Sequence, residues 1–111
     1  MGRNANNIVR ILGGNRSTIL DGVTLTGAKS NRSSSRDSAL SIFRGSPTIR
    51  NCRFVGNNLD ESGSINIGES PEVIIANCLF VDNEGAAIFV DRASPLIVNC
   101  TFSRNEVDED G

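Results

Sequence analysis

The chain contains no histidine, tryptophan or tyrosine, and only three prolines and three cysteines in 111 residues. Nor does it hold an apolar run long enough to span a bilayer. Each absence removes a class of explanation. With no histidine, and with cysteines 26 and 22 residues apart, the close ligand pairs of a zinc site are missing. With no tryptophan or tyrosine and only five phenylalanines, the chain is poor in the large aromatics of an ordinary globular core. A formal net charge of −2 argues against nucleic acid as an obligate partner. The first 30 residues hold no basic stretch followed by an apolar one, so no signal peptide is expected within this chain.

What is abundant is corner chemistry, with 13 asparagines and 11 glycines, and a repeat. Ser46-Pro47, Ser70-Pro71 and Ser94-Pro95 fall 24 residues apart both times, and each is followed by an Asn-Cys pair at Asn51, Asn77 or Asn99. A fixed period in the ~20–50 residue range means one structural unit per copy, stacked because no copy buries its apolar face alone. Ile49, Ile75 and Ile97 lie two residues before the Asn. Cys52, Cys78 and Cys100 lie one after it, and Phe54, Phe80 and Phe102 three after it. Both sides alternate at period two, as half-buried strands do. A third alternating run precedes each Ser-Pro: Leu40/Ile42, Ile65/Ile67 and Ile88/Val90, with Ser41, Asn66 and Phe89 facing out. Asn tolerates the left-handed backbone of a sharp corner, so Asn51, Asn77 and Asn99 are expected to stack as a corner ladder.

A degenerate first copy places Ile19 in the Ile column, Asp21 at the corner with Gly22 as an extra residue, and Val23 and Leu25 in the Cys and Phe columns. Its leading strand runs from Ile8 to Leu12. The resulting reading is an all-β parallel solenoid of about four rungs of three short strands. The rungs fall at about 8–37, 38–62, 63–85 and 86–107, between an N-terminal tail (1–7) and an acidic tail (108–111).

Strand, turn, strand, Asn corner and strand, repeated four times over residues 8 to 107, resembles the right-handed parallel β-helix of the pectin-lyase-like superfamily. Phe54-Val55-Gly56-Asn57, Phe80-Val81-Asp82-Asn83 and Phe102-Ser103-Arg104-Asn105 are similar to the Phe-x-x-Asn half of the polymorphic outer membrane protein repeat. The Gly-Gly half is degraded to Gly85-Ala86-Ala87-Ile88 and Ser62-Gly63-Ser64-Ile65. The resemblance implies a surface-exposed or secreted parent protein of adhesive character, with a glycan or a cell-surface protein as partner. A leucine-rich repeat shares the Ile-x-x-Cys-x-Phe-x-x-Asn-x-Leu spacing, but it would carry a helical half where Leu40-Ser41-Ile42 and Ile65-Asn66-Ile67 keep period two.

For chemistry the residues offer little. The three cysteines read as an inward column, with a disulfide between adjacent rungs as the weaker alternative. Residues 29–38 form a Ser- and Arg-rich insertion, read either as a solvated loop or as a ligand-touching one. Asn15-Arg16-Ser17 and Asn31-Arg32-Ser33 fit the glycosylation pattern, as does Asn99-Cys100-Thr101 at a corner. Asp108-x-Asp110-Gly111 only faintly resembles a calcium turn. Asp60/Glu61 and Asp91/Arg92 are turn pairs, and Phe43 and Phe89 are the available aromatic platform. The expectation is a non-catalytic module without cofactor or metal, with a polysaccharide lyase or glycoside hydrolase of the same fold as the alternative. Uncapped end rungs suggest either a fragment of a longer solenoid or end-to-end self-association.

Overall fold

The computed structural model describes residues 7–15, 17–29 and 38–106, all of it strand, turn and corner. Twelve strands form three four-stranded parallel sheets. Sheet A contains β1 (Asn7–Leu12), β4 (Ser38–Phe43), β7 (Asn58–Gly68) and β10 (Glu84–Asp91). Sheet B contains β2 (Ile19–Asp21), β5 (Thr48–Arg50), β8 (Ile74–Ala76) and β11 (Leu96–Val98). Sheet C contains β3 (Thr24–Thr26), β6 (Arg53–Val55), β9 (Leu79–Val81) and β12 (Thr101–Ser103). Each strand pairs with the one a full turn away and never with its sequence neighbour, so the chain coils through four rungs of three strands. Among the described residues no helix is long and apolar enough to cross a membrane.

The interior is built of columns, because in-register parallel strands put like positions above one another. Leu25, Phe54, Phe80 and Phe102 share one column by register. The rings of Phe54 and Phe80 stack at 4.8 Å and 6°, and those of Phe80 and Phe102 at 4.9 Å and 9°. Phe54 and Phe80 are fully buried, whereas Phe102, on the last rung, is 48% exposed. Ile49 and Ile75 are likewise buried and Ile97 is not. The thiols of Cys52, Cys78 and Cys100 each point at a carbonyl of the rung before, those of Leu20, Ile49 and Ile75 respectively. All three cysteines are free. Contact between the two inner thiols, together with burial, holds Cys78 well above the ordinary thiol range.

Four expectations are corrected. Ile19 is not in the Ile column: it pairs with Thr48 on the outer face and is 47% exposed, while Leu20 pairs with Ile49. Gly22, at φ 75°, is itself the corner, and its N–H bonds the Arg50 carbonyl just as the Asn51 N–H bonds that of Ala76. The first rung therefore has no extra residue, and Asp21 belongs to the outer face beside Arg50. The boundary expected between residues 62 and 63 falls inside β7, which begins at Asn58. There the ladder is irregular: Asn58 pairs with Glu84 and Gly63 with Ala86, so five steps of β7 face two of β10. Asn7, placed in a tail by the sequence reading, is the first residue of β1. The Ser- and Arg-rich insertion between Lys29 and Ser38, the Asn31 sequon and the acidic end from residue 107 lie outside the described residues.

Candidate functional site

The corners hold the candidate residues that depart most from expectation. Asn51, Asn77 and Asn99 do occupy equivalent left-handed corners, at φ 54°, 54° and 52°. Their side chains are exposed, and the expected ladder of buried amides is absent there. Asn51 Nδ2 reaches Asp21 Oδ1 at 3.0 Å, and Arg50 Nε bonds Asp21 Oδ2 at 3.1 Å. These two donors, the Asn51 amide first, hold the Asp21 carboxyl below its usual range.

The buried ladder runs instead through Asn57, Asn83 and Asn105, the asparagines of the Phe-x-x-Asn copies. Asn83 Oδ1 accepts from the Asn57 backbone N–H at 2.9 Å and from Asn57 Nδ2 at 3.0 Å. Asn105 Oδ1 accepts the same pair of bonds from Asn83, at 3.2 and 2.7 Å. The remaining amide hydrogens go to the carbonyls of Leu25, Phe54 and Phe80. At the first rung Ala28 stands in the Asn position and donates its N–H to Asn57 Oδ1. This row is structural, since Asn57 and Asn83 are each only 1% exposed and their polar atoms are bonded within the chain.

Chemistry accessible to a ligand lies elsewhere, on the outer face of sheet A. Register puts Arg10, Ser41, Asn66 and Phe89 in one outward row, and Leu12, Phe43, Gly68 and Asp91 in the next. A groove of roughly 680 Å³ follows these rows. Phe89 is 47% exposed and Phe43 sits at the edge of exposure. Two glycines make this surface. A Cβ on Gly68 would meet Phe43 Cδ1 at 3.1 Å, so its absence lets that ring lie against the β7 backbone. A Cβ on Gly63 would meet the Phe89 backbone N at 2.7 Å, so Gly63 admits β10 at the irregular ladder. Asn66 is fixed by its Oδ1, which accepts the Gly63 N–H at 2.9 Å; this orientation assigns its Nδ2 as the donor of the groove.

Along one rim stand three successive corner residues, Arg44, Glu69 and Arg92, at φ 56°, 49° and 57°. Glu69 Oε1 takes Arg44 Nε at 3.1 Å and its Oε2 takes Arg92 Nη1 at 3.5 Å. The Arg44 guanidinium also lies 4.9 Å over the Phe43 ring, which leaves Phe89 as the open aromatic face. Asp91 and Arg92, read from sequence as an isolated pair, are thus joined through Glu69 to the rung before. The sequence reading placed Ser41, Asn66 and Phe89 outward but missed Gly68, Glu69, Arg10 and Leu12. Carrying the alternation two residues further along each strand finds Gly68 and Asp91 beside Phe43.

Among the described residues no three His, Cys, Asp or Glu side chains are grouped to hold a metal. Of the described carboxylates, only Glu69 and Asp91 line the groove. Asn15, in the first sequon, is exposed, and its Oδ1 accepts from the Ser17 N–H and hydroxyl.

No curated protein and no solved structure matches the chain. Residues 3–111 match the family model described as the right handed beta helix region. With three parallel sheets wound through four rungs and a match over nearly the whole chain, the protein belongs to the right-handed β-helix family.

Proposed function

We propose that this β-helix module binds glycan, without cleaving it, along the outer face of sheet A, as part of a surface or secreted protein. The observation that carries the reading is the open ring of Phe89 on the outer face of sheet A, with Phe43 two rungs away in the neighbouring row, its own ring held between Gly68 and the Arg44 guanidinium. Two strand spacings and a two-residue offset along the strand put the two positions about 12 Å apart, so a ligand on Phe89 that reaches Phe43 spans more than one sugar ring. The apolar face of a pyranose stacks on an exposed aromatic ring, and hydroxyls need fixed donors and acceptors beside it. Asn66, Ser41 and Asp91 supply these from the same rows. Glu69 is held by two arginines, which suits it to shaping the groove better than to acid or base work. The Phe-x-x-Asn copies add the resemblance to repeats of surface adhesins.

The test is titration calorimetry of the purified chain with a panel of neutral and acidic hexasaccharides, alongside Phe89→Ala, Phe43→Ala and Leu96→Ala, the last lying on sheet B. Binding that Phe89→Ala removes, Phe43→Ala weakens and Leu96→Ala leaves intact supports the reading. Binding to no glycan, or equal loss in all three variants, overturns it. Release of shortened products, abolished by Asp91→Asn, would move the chain to the lyase or hydrolase alternative.

A further inference from the structure

We propose that the groove is made for a neutral glycan and that Glu69 sets this preference. The inference rests on the glycan-binding reading above. A groove edged by arginines at first suggests an anionic sugar, since a guanidinium fork fits a carboxylate. The geometry points the other way. Arg44 and Arg92 flank Glu69 on consecutive corners, and one oxygen of Glu69 is given to each. Both guanidiniums therefore already have a carboxylate, and Arg44 is further held over the Phe43 ring. A uronate arriving at this rim would have to share the guanidiniums with Glu69 and lie next to its carboxylate. Along the groove the outward rows add one cation, Arg10 on β1, and one carboxylate, Asp91 on β10, at opposite edges of the sheet. Two of the three arginines along the face are thus already paired with the protein's own carboxylate, and the third, Arg10, stands on the β1 edge three strands away from Phe89. What stays open is an apolar ring, Phe89, with uncharged partners at Asn66 and Ser41. That is the recognition chemistry of hydroxyls and of the apolar face of a sugar ring, with Glu69 as a specificity-determining residue that withholds the arginines from acidic ligands.

The experiment compares neutral hexasaccharides (gluco-, manno- and xylo-configured) with hexagalacturonate by calorimetry on the purified chain and on Glu69→Gln. Each is measured at low and at physiological salt, with melting curves confirming that the variant is folded. The wild type is expected to bind at least one neutral hexasaccharide at least ~10-fold more tightly than hexagalacturonate, with little salt dependence because no charge pair is formed. Glu69→Gln frees both guanidiniums, so the ratio of acidic to neutral affinity should rise by about 10-fold at low salt and fall back as salt screens it. If the wild type prefers hexagalacturonate and Phe89→Ala still abolishes that binding, the neutral-ligand inference is overturned and the glycan-binding reading stands. If no hexasaccharide of either class binds, both are overturned. A ratio unmoved by Glu69→Gln in a folded protein removes Glu69 from its role.

Discussion

Replacing Asn83 by Leu tests whether the buried amide row holds the rungs together. Asn83 is 1% exposed and takes part in six hydrogen bonds, four through its side-chain amide and two through its backbone. Leucine keeps the branched outline, though it is bulkier, and keeps the two backbone bonds, but it removes the four bonds made by the amide group. The worst consequence falls on the Asn57 backbone N–H, which is left facing hydrocarbon without an acceptor. A stranded buried donor costs about 1–3 kcal/mol, and the lost bonds each contribute roughly 1 kcal/mol net, against a modest gain from leucine's apolar surface. The expected loss is therefore about 2–4 kcal/mol, enough to remove a large part of a small domain's stability. Urea unfolding followed by circular dichroism reads it directly, with Asn77→Gly as the companion. Asn77 is an exposed corner at φ 54°, a conformation glycine adopts freely, so that variant should stay within a few tenths of a kcal/mol of wild type. A loss below about 1 kcal/mol for Asn83→Leu, or an equal loss in both variants, would refute the assignment of the ladder.

Phe80→Ala should cost about 3–5 kcal/mol, because Phe80 is packed between Phe54 and Phe102 and the void cannot close without moving two rungs; a denaturation midpoint shifted less than that of Phe102→Ala would contradict it. Ser64→Ala should stabilise by about 1 kcal/mol, since the Ser64 hydroxyl is buried without a partner in line with Ala39 and Ala87; a destabilisation would reveal a partner for it. Thiol titration should find Cys100 reactive in the folded protein and Cys52 and Cys78 only after unfolding, because Cys100 alone is part-exposed; simultaneous labelling of all three would refute this burial order. Arg104 holds the Asp82 carboxyl below its usual range by a 2.6 Å bond. A depressed carboxylate contributes stability that is present above its unfolded pKa and lost as pH falls through the lower folded value. Asp82→Asn should accordingly lower the melting temperature slightly at neutral pH and converge with wild type below about pH 4, giving a flatter acid limb; an unchanged acid limb would show that the pair has no role.

How much of this was legible can be argued from one count. Along the second rung the inward side chains are Ile49, Cys52, Phe54, Asn57 and Leu59, all buried. Within a strand the step is two, and across a corner it is three, because one residue at positive φ, Asn51 or Gly56, turns the chain and is left outside. Period-two alternation on either side of Asn51 was enough to place Cys52 and Phe54, and so the strands and columns could be read from sequence. The two candidate rows, Asn51/Asn77/Asn99 and Asn57/Asn83/Asn105, have the same period, so repetition alone cannot choose between them. The three-residue step can: taken from Phe54 across Gly56, it lands on Asn57 and leaves Asn51 at the turn. Applied to the first rung, it runs Leu20, Val23, Leu25, Ala28, which expels Ile19 and makes Gly22 the corner. The Ser-Pro spacing misleads for a related reason. It is 24 residues both times, whereas the paired positions Thr48, Ile74 and Leu96 are 26 and 22 apart, so Pro47 lies level with Val73 and not with Pro71. The groove was the least legible feature, because it depends on two glycines whose missing Cβ atoms admit Phe43 and Phe89, and on an ion pair between rungs. Both are relations across the stack that no single copy of the repeat contains.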